Sequence, residues 1–139
     1  MNGGYLLDTH ILIWLLDDDD CLVGNIREDV YYFQHTYYVS VESLREIVIL
    51  QSLKKISFTS VVDKIITELQ KWQIGILPVE AVHIRELEKL PILSINGKKH
   101  EDPFDRLLIS QAIAGKYTII SSDSKFPFYK DYGLKLLVN

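Results

Sequence analysis

Short apolar runs alternate along this chain with longer stretches of helical periodicity. Tyr5-Leu6-Leu7, Tyr37-Tyr38-Val39, Gly75 to Val79, Tyr117 to Ser121 and Lys135 to Val138 are brief and lack polar alternation, which predicts buried strands. Ile11 to Leu16 predicts a helix packed on the first strand, and Cys21 to Gln34 a second one. Ser40 reads as an N-cap, followed by an apolar stripe of Val41, Leu44, Ile47 and Val48. That helix is expected to reach about Lys54, with Lys55 completing a basic end that suits the helix dipole. Val62, Ile65, Ile66 and Leu69 carry the i, i+3, i+4, i+7 pattern of a helix between Ser60 and Trp72, with Ser60 and Asp63 as a capping pair. A helix from Glu80 stops at Leu90 before Pro91, and Ser94 to His100 reads as a polar loop around Gly97. Asp102-Pro103-Phe104-Asp105 opens a further helix that ends near Gly115, and a short helical segment covers Ser124 to Lys130. Strands alternating with helices in this way predict an α/β fold whose parallel sheet is covered on both faces. In such sheets ligands gather beyond the carboxyl ends of the strands.

The chain has 139 residues, which predicts one domain over 1–139, and its 47% hydrophobic and 24% charged residues exclude a disordered chain. Its longest purely apolar run, Ile11 to Leu16, is far short of a membrane span, and no basic stretch precedes a signal-type segment. Cys21 is the single cysteine, so no internal disulfide can form and a cytoplasmic location is expected. The net charge of −4 gives no long-range attraction to nucleic acid, which argues against a simple nucleic-acid binder. It leaves room for an enzyme whose acidic site is neutralised by metal ions. Asp17 to Asp20 repel one another and read as a solvated loop.

The informative chemistry is the placement of carboxylates. Asp8 directly follows the first strand, Asp123 follows the Tyr117–Ser121 strand, and Glu46 lies about a turn and a half into the helix capped by Ser40. Asp102 and Asp105 occupy the first turn of the Asp102–Gly115 helix. In a parallel sheet all five fall toward one edge, and neighbouring strand ends about 4.8 Å apart let carboxylates share one cation. Each also has a structural reading. Asp8 can cap the helix that begins at Thr9, Asp102 before Pro103 is a typical N-cap, Asp105 suits the helix dipole, and Asp123 is a turn residue. Glu42 reads as a dipole partner near its helix start. Clustered acids raise one another's pKa, and hard oxygen ligands relieve this by holding Mg²⁺ or Mn²⁺. No phosphate-binding or dinucleotide-binding glycine pattern is present. His10, His35, His83 and His100 are too scattered for a zinc site, His83 with Glu86 reads as a surface pair, and Ser121 and Ser122 lack a histidine that would make a nucleophile.

Leu6-Leu7-Asp8-Thr9-His10, Ser43-Leu44-Arg45-Glu46-Ile47, Asp102-Pro103-Phe104-Asp105-Arg106-Leu107-Leu108-Ile109-Ser110-Gln111-Ala112 and Ile120-Ser121-Ser122-Asp123 together resemble the PIN-domain nucleases, and within them the VapC-type toxins of type II toxin–antitoxin systems. The resemblance runs from about residue 5 to the C-terminus and is most specific between Asp102 and Ala112. It implies a three-layer α/β/α fold with a central parallel sheet and a Mg²⁺- or Mn²⁺-dependent endoribonuclease. It also implies a homodimer held inactive by a cognate antitoxin. Asp8, Glu46, Asp105 and Asp123 fall on the family's metal-binding acids, Asp102 on an additional acidic position, and Thr9 on the residue that supports the first aspartate. The chain departs from the family at Arg45, where a tryptophan is frequent, at Glu101, where a basic residue is common, and at Ser122, where arginine often stands. Its Ser94–His100 loop is longer than usual.

The expected activity is therefore hydrolysis of RNA by a metal-activated water. Lys98, Lys99, His100, Arg106 and Lys125 neighbour the acidic motifs and are candidates for RNA-phosphate contacts. Val30 to Phe33 and Trp72 are candidates for a dimer or antitoxin surface, against the reading that they are core. Two alternatives stand beside this: a PIN-fold binding module of weak activity, and a metal phosphodiesterase acting on DNA or small nucleotides.

Overall fold

A computed structural model describes residues 3–53 and 62–139. The chain runs β1 (Tyr5–Leu7), α1 (Thr9–Leu16), α2 (Gly24–Tyr31), β2 (Tyr37–Ser40), α3 (Val41–Ser52), α4 (Val62–Lys71), β3 (Gly75–Leu77), α5 (Ala81–Lys89), β4 (Ser94–Ile95), β5 (Lys98–Lys99), α6 (Pro103–Gly115), β6 (Thr118–Ser121), a 3-10 helix (Phe126–Tyr132) and β7 (Lys135–Val138). Five strands form one sheet in the order β3-β2-β1-β6-β7, and every pair in it is parallel.

The register explains the layers. Leu7, Val39 and Ile120 lie side by side across β1, β2 and β6, and Leu6 and Ile119 form the adjacent row. Alternate residues of a strand face opposite sides. Accordingly, Leu7, Val39 and Ile120 join Ile11, Leu12, Leu15, Ile47, Ile65 and Leu69 in one core beneath α1 to α4. Leu6 and Ile119 join Leu108, Ile109, Ala112, Phe126 and Tyr129 in a second core beneath α6 and the 3-10 helix. The result is a three-layer α/β/α sandwich.

Helix starts follow the capping residues. Ser40 ends β2 and caps α3, its Oγ accepting the Glu42 N–H at 3.1 Å. Asp102 caps α6 ahead of Pro103. The second helix is shorter than the Cys21–Gln34 span expected. The expected basic end at Lys54 and Lys55 and the Ser60 cap lie outside the described residues. Two expectations are corrected. Ser94 to His100 is not an irregular loop but an antiparallel hairpin, β4 paired with β5. Its turn places Asn96 at φ 51° and Gly97 at φ 81°, the left-handed pair that a two-residue hairpin turn requires. His83 is not a surface residue. It is buried, and its Nδ1 accepts the Glu80 N–H at 2.9 Å to close the start of α5. Among the described residues, no helix is long and apolar enough to cross a membrane.

Candidate active site

The chain moves outward from β1 in both directions, to β2 and β3 on one side and to β6 and β7 on the other. The β1/β6 boundary is thus a topological switch point, where loops part and leave a crevice at the carboxyl ends of the strands. Asp8 stands at the end of β1. It is 8% exposed, and its carboxylate accepts two hydrogen bonds, from the Thr9 N–H at 2.7 Å and from the Ser121 Oγ–H at 2.7 Å. Burial pushes the Asp8 pKa up, and these two bonds offset part of that. The Ser121 hydroxyl also accepts the Asp123 N–H at 3.0 Å, so one buried oxygen sets both acids.

Glu46 comes from α3, whose first turn is tied to α1 by Thr9 Oγ1 donating to Ser43 Oγ at 2.9 Å. Burial raises the Glu46 pKa, with Asp8 and Asp102 adding to the rise against the opposing influence of Thr9 and His10. Asp105 sits in the first turn of α6. Its pKa is pushed up to about 8, chiefly by burial and then by the charges of Asp102, Asp8, Asp123 and Glu46. Four carboxylates, three of them from other chain segments, therefore act on this one acid. Asp8, Glu46 and Asp105 line a common cleft with Thr9, Glu42, Ser43, Phe104 and Leu108. Its volume of about 10 Å³ matches a single water or ion. Larger cavities, such as the one of about 470 Å³ beside Leu15, Tyr31, Ile65 and Trp72, gather no comparable set of buried acids among the described residues.

The other carboxyl groups have local duties. Asp102 Oδ1 accepts the Phe104 and Asp105 N–H groups at 2.9 and 3.0 Å, so the capping role is present. Asp123 Oδ1 accepts the Lys125 N–H at 2.8 Å. Glu42 pairs with Arg45 at 2.9 Å, and the Arg45 guanidinium lies 4.9 Å over the Phe104 ring at the rim.

Among the described residues, no three His, Cys, Asp or Glu side chains form a ready-made metal cage. Asp8, Asp102 and Asp123 each accept local hydrogen bonds. The donor chemistry nevertheless fits a hard divalent cation. All the converging donors are carboxylate oxygens, and a cation among them would relieve the repulsion that raises Asp105.

His100, a candidate phosphate contact, is a buried linker. It is 5% exposed, with Nε2 3.0 Å from Asp105 Oδ2 and Nδ1 2.7 Å from the Tyr129 hydroxyl. When Asp105 is ionised it can only accept, and Nε2 is then the donor while Nδ1 receives the Tyr129 proton. Burial holds the His100 pKa down, in keeping with a neutral ring. Arg106 is likewise turned inward. Its two terminal nitrogens donate to the carbonyls of Pro91 at 2.9 Å and Leu90 at 3.0 Å. Lys98, Lys99 and Lys125 are exposed. Ser121, Ser43 and Tyr129 are site residues that sequence reasoning misses. A serine closing a strand two residues before an acid is the signal that was available for Ser121.

A comparison with curated proteins finds no match. Among solved structures, the chain is similar to one described as VapBC2 from Rickettsia felis bound to a DNA fragment from its promoter. The TM-score is 0.67 at 20% identity, over 97% of this chain and 98% of that one. The sequence profile described as PIN domain matches residues 5–131, a span that holds every acid of the cleft, and the chain belongs to the PIN domain family.

Proposed function

We propose that this chain is a metal-dependent endoribonuclease and the toxin of a VapC-type toxin–antitoxin pair. The observation that carries the reading is the meeting of Asp8, Glu46 and a half-buried Asp105 in one cleft at the carboxyl edge of a parallel sheet, with Asp102 and Asp123 near enough to raise the Asp105 pKa further. PIN domains are typically nucleases that use divalent metal ions. In this reading Asp8, Glu46, Asp105 and Asp123 hold Mg²⁺ or Mn²⁺, with Asp102 as an additional acid. When bound, the ion supplies a water nucleophile at neutral pH and offsets charge at the leaving oxygen. The chain's own residues do the rest. Ser121 and the Thr9 N–H hold the Asp8 carboxylate in one orientation, and His100 does the same for Asp105. Thr9 also pins α1 to α3, which fixes Glu46 relative to Asp8.

The antitoxin and homodimer belong to the same proposal. The similar structure is described as a VapBC complex, which supports a protein partner. Tyr31, Tyr32 and Phe33 are exposed at the end of α2, and Tyr31 stacks on Trp72 at 5.7 Å. These rings offer a partner an apolar surface, whereas Val30 is core.

The test is Mg²⁺- or Mn²⁺-dependent digestion of RNA, single-stranded DNA and a model phosphodiester by the wild type, Asp8→Asn and Asp105→Asn. Cleavage is expected for RNA alone and to fall by at least about 100-fold in either variant. Full activity of both variants refutes the assignment. DNA or diester cleavage redirects it to the phosphodiesterase reading. The binding-module reading draws on the open arrangement of the acids, and calorimetry showing no Mn²⁺ binding would favour it.

A further inference from the structure

The hairpin β4–β5 and the turn after β6 enclose a cavity of about 330 Å³ lined by Asn96, Lys98, Lys99, His100, Ser124 and Lys125. Three of these are exposed lysines, on a chain whose net charge is −4. Among the described residues, none of the three has an ion-pair partner, whereas Lys71, Lys89, Arg27 and Arg45 do.

Both walls are built from segments that also serve the acidic cleft. On one side, Lys98 and Lys99 lead directly into His100, whose ring is fixed between Tyr129 and Asp105. The hairpin turn is closed by Asn96 and Gly97 in left-handed conformations, and the Leu93 carbonyl accepts the His100 N–H at 2.8 Å, so the lysine backbones are held. On the other side, the Asp123 carboxylate accepts the Lys125 N–H, and Asp123 is itself held by Ser121. Asp123 therefore fixes the Lys125 backbone on one side of the turn while its charge acts on Asp105 on the other. His100 joins the two regions, its ring bonded to Asp105 of the cleft and lining the lysine cavity.

We propose that this cavity is a phosphate-binding subsite for the single-stranded RNA segment next to the scissile bond. The inference rests on the ribonuclease reading for the identity of the ligand. A strand leaving the acidic cleft past the hairpin meets a cavity bordered by three lysines, whose flexible ammonium groups can reach its next phosphates. The subsite reads the backbone and not the bases, since lysines act as point charges on phosphate oxygens. It gives the strand a direction across the site and lets an acidic protein hold an anionic substrate.

The test uses the full chain carrying Asp8→Asn and Asp105→Asn, which cannot cleave and has a less repulsive cleft. Fluorescence anisotropy in EDTA follows a labelled single-stranded oligoribonucleotide of mixed sequence. Lys98→Ala/Lys99→Ala/Lys125→Ala is compared with Lys64→Ala/Lys130→Ala/Lys135→Ala, which removes the same number of charges from exposed positions outside the cavity. The first triple is expected to weaken binding by about tenfold or more, whatever the base sequence. Its log–log salt slope should flatten by about 2, at about 0.7 per lost single-strand contact. The control triple should change affinity less than about threefold. Equal losses in the two triples, or no binding by the parent protein, overturn the subsite. Cleavage by the wild type is measured separately, so a subsite that binds RNA on a protein that never cuts it would refute the nuclease and leave the subsite standing.

Discussion

At the scale of single residues, the site depends on a hydroxyl. The Ser121 Oγ–H is one of two donors that offset the rise burial imposes on the Asp8 pKa, and the same oxygen holds the Asp123 backbone. Ser121→Ala removes both contacts with little change in volume. It should lower metal affinity and activity by about 10–100-fold, measured by Mn²⁺ calorimetry and by initial rates, with the fold retained. Unchanged affinity would show that the Thr9 N–H is enough to orient Asp8. The acids themselves were legible, because an aspartate directly after a buried strand is visible in the chain. Ser121 was not, since its partner lies 113 positions away and only the sheet brings them together. The burial of His100 was hidden for a related reason. Its two sequence neighbours on one side are exposed lysines, and nothing local reveals that Tyr129 and Asp105 enclose the ring.

At the scale of elements, helix α6 carries the site, because its first turn presents Asp102 and Asp105 together. Its seat is fixed by Arg106, which satisfies two carbonyls at the end of α5, the groups a helix terminus leaves unpaired. Arg106→Ala should cost about 1.5–3 kcal/mol in urea unfolding, the usual range for hydrogen bonds to a charged donor. Arg106→Lys, which cannot fork to both carbonyls, should recover only part of it. No loss in either variant would show that the α5–α6 apolar packing alone fixes the helix. The parallel strands and most helices could be anticipated, because period and capping residues are local properties. The hairpin could not be recognised from apolar pattern, since each of its strands has only two residues and three of the four are polar. Its true signal was the Asn96-Gly97 pair, a turn signature that outranks the polarity around it. Arg106 shows the same limit from the other side, as a basic residue beside an acidic motif turns inward when helix carbonyls lie within reach.

For the whole molecule, the acids make stability a function of pH and of metal. Asp105 moves from 3.8 to about 8 on folding, and Asp8 and Glu46 move in the same direction. Between those values the folded chain binds more protons than the unfolded one, so stability falls as pH rises through the window. The contribution is fully present below the unfolded value and is lost by about pH 8. His100 acts with the opposite sign, because its pKa is held below 6.5 and the unfolded chain takes up its proton first as pH drops. The clean experiment is therefore a difference. In EDTA the Tm of the wild type should fall relative to that of Asp105→Asn as pH rises from about 4 to about 8, because the variant lacks a strongly raised acid and keeps His100. A divalent ion that binds only the folded chain adds about 2.7 kcal/mol at a hundredfold excess over its Kd, and should most benefit the wild type at the alkaline end, where the carboxylates are charged. Parallel Tm profiles for the two proteins in EDTA would mean that Asp105 titrates as an ordinary surface acid. The convergence of carboxylates at the carboxyl edge of the sheet would then be an electrostatic coincidence, with no strain for a metal to relieve.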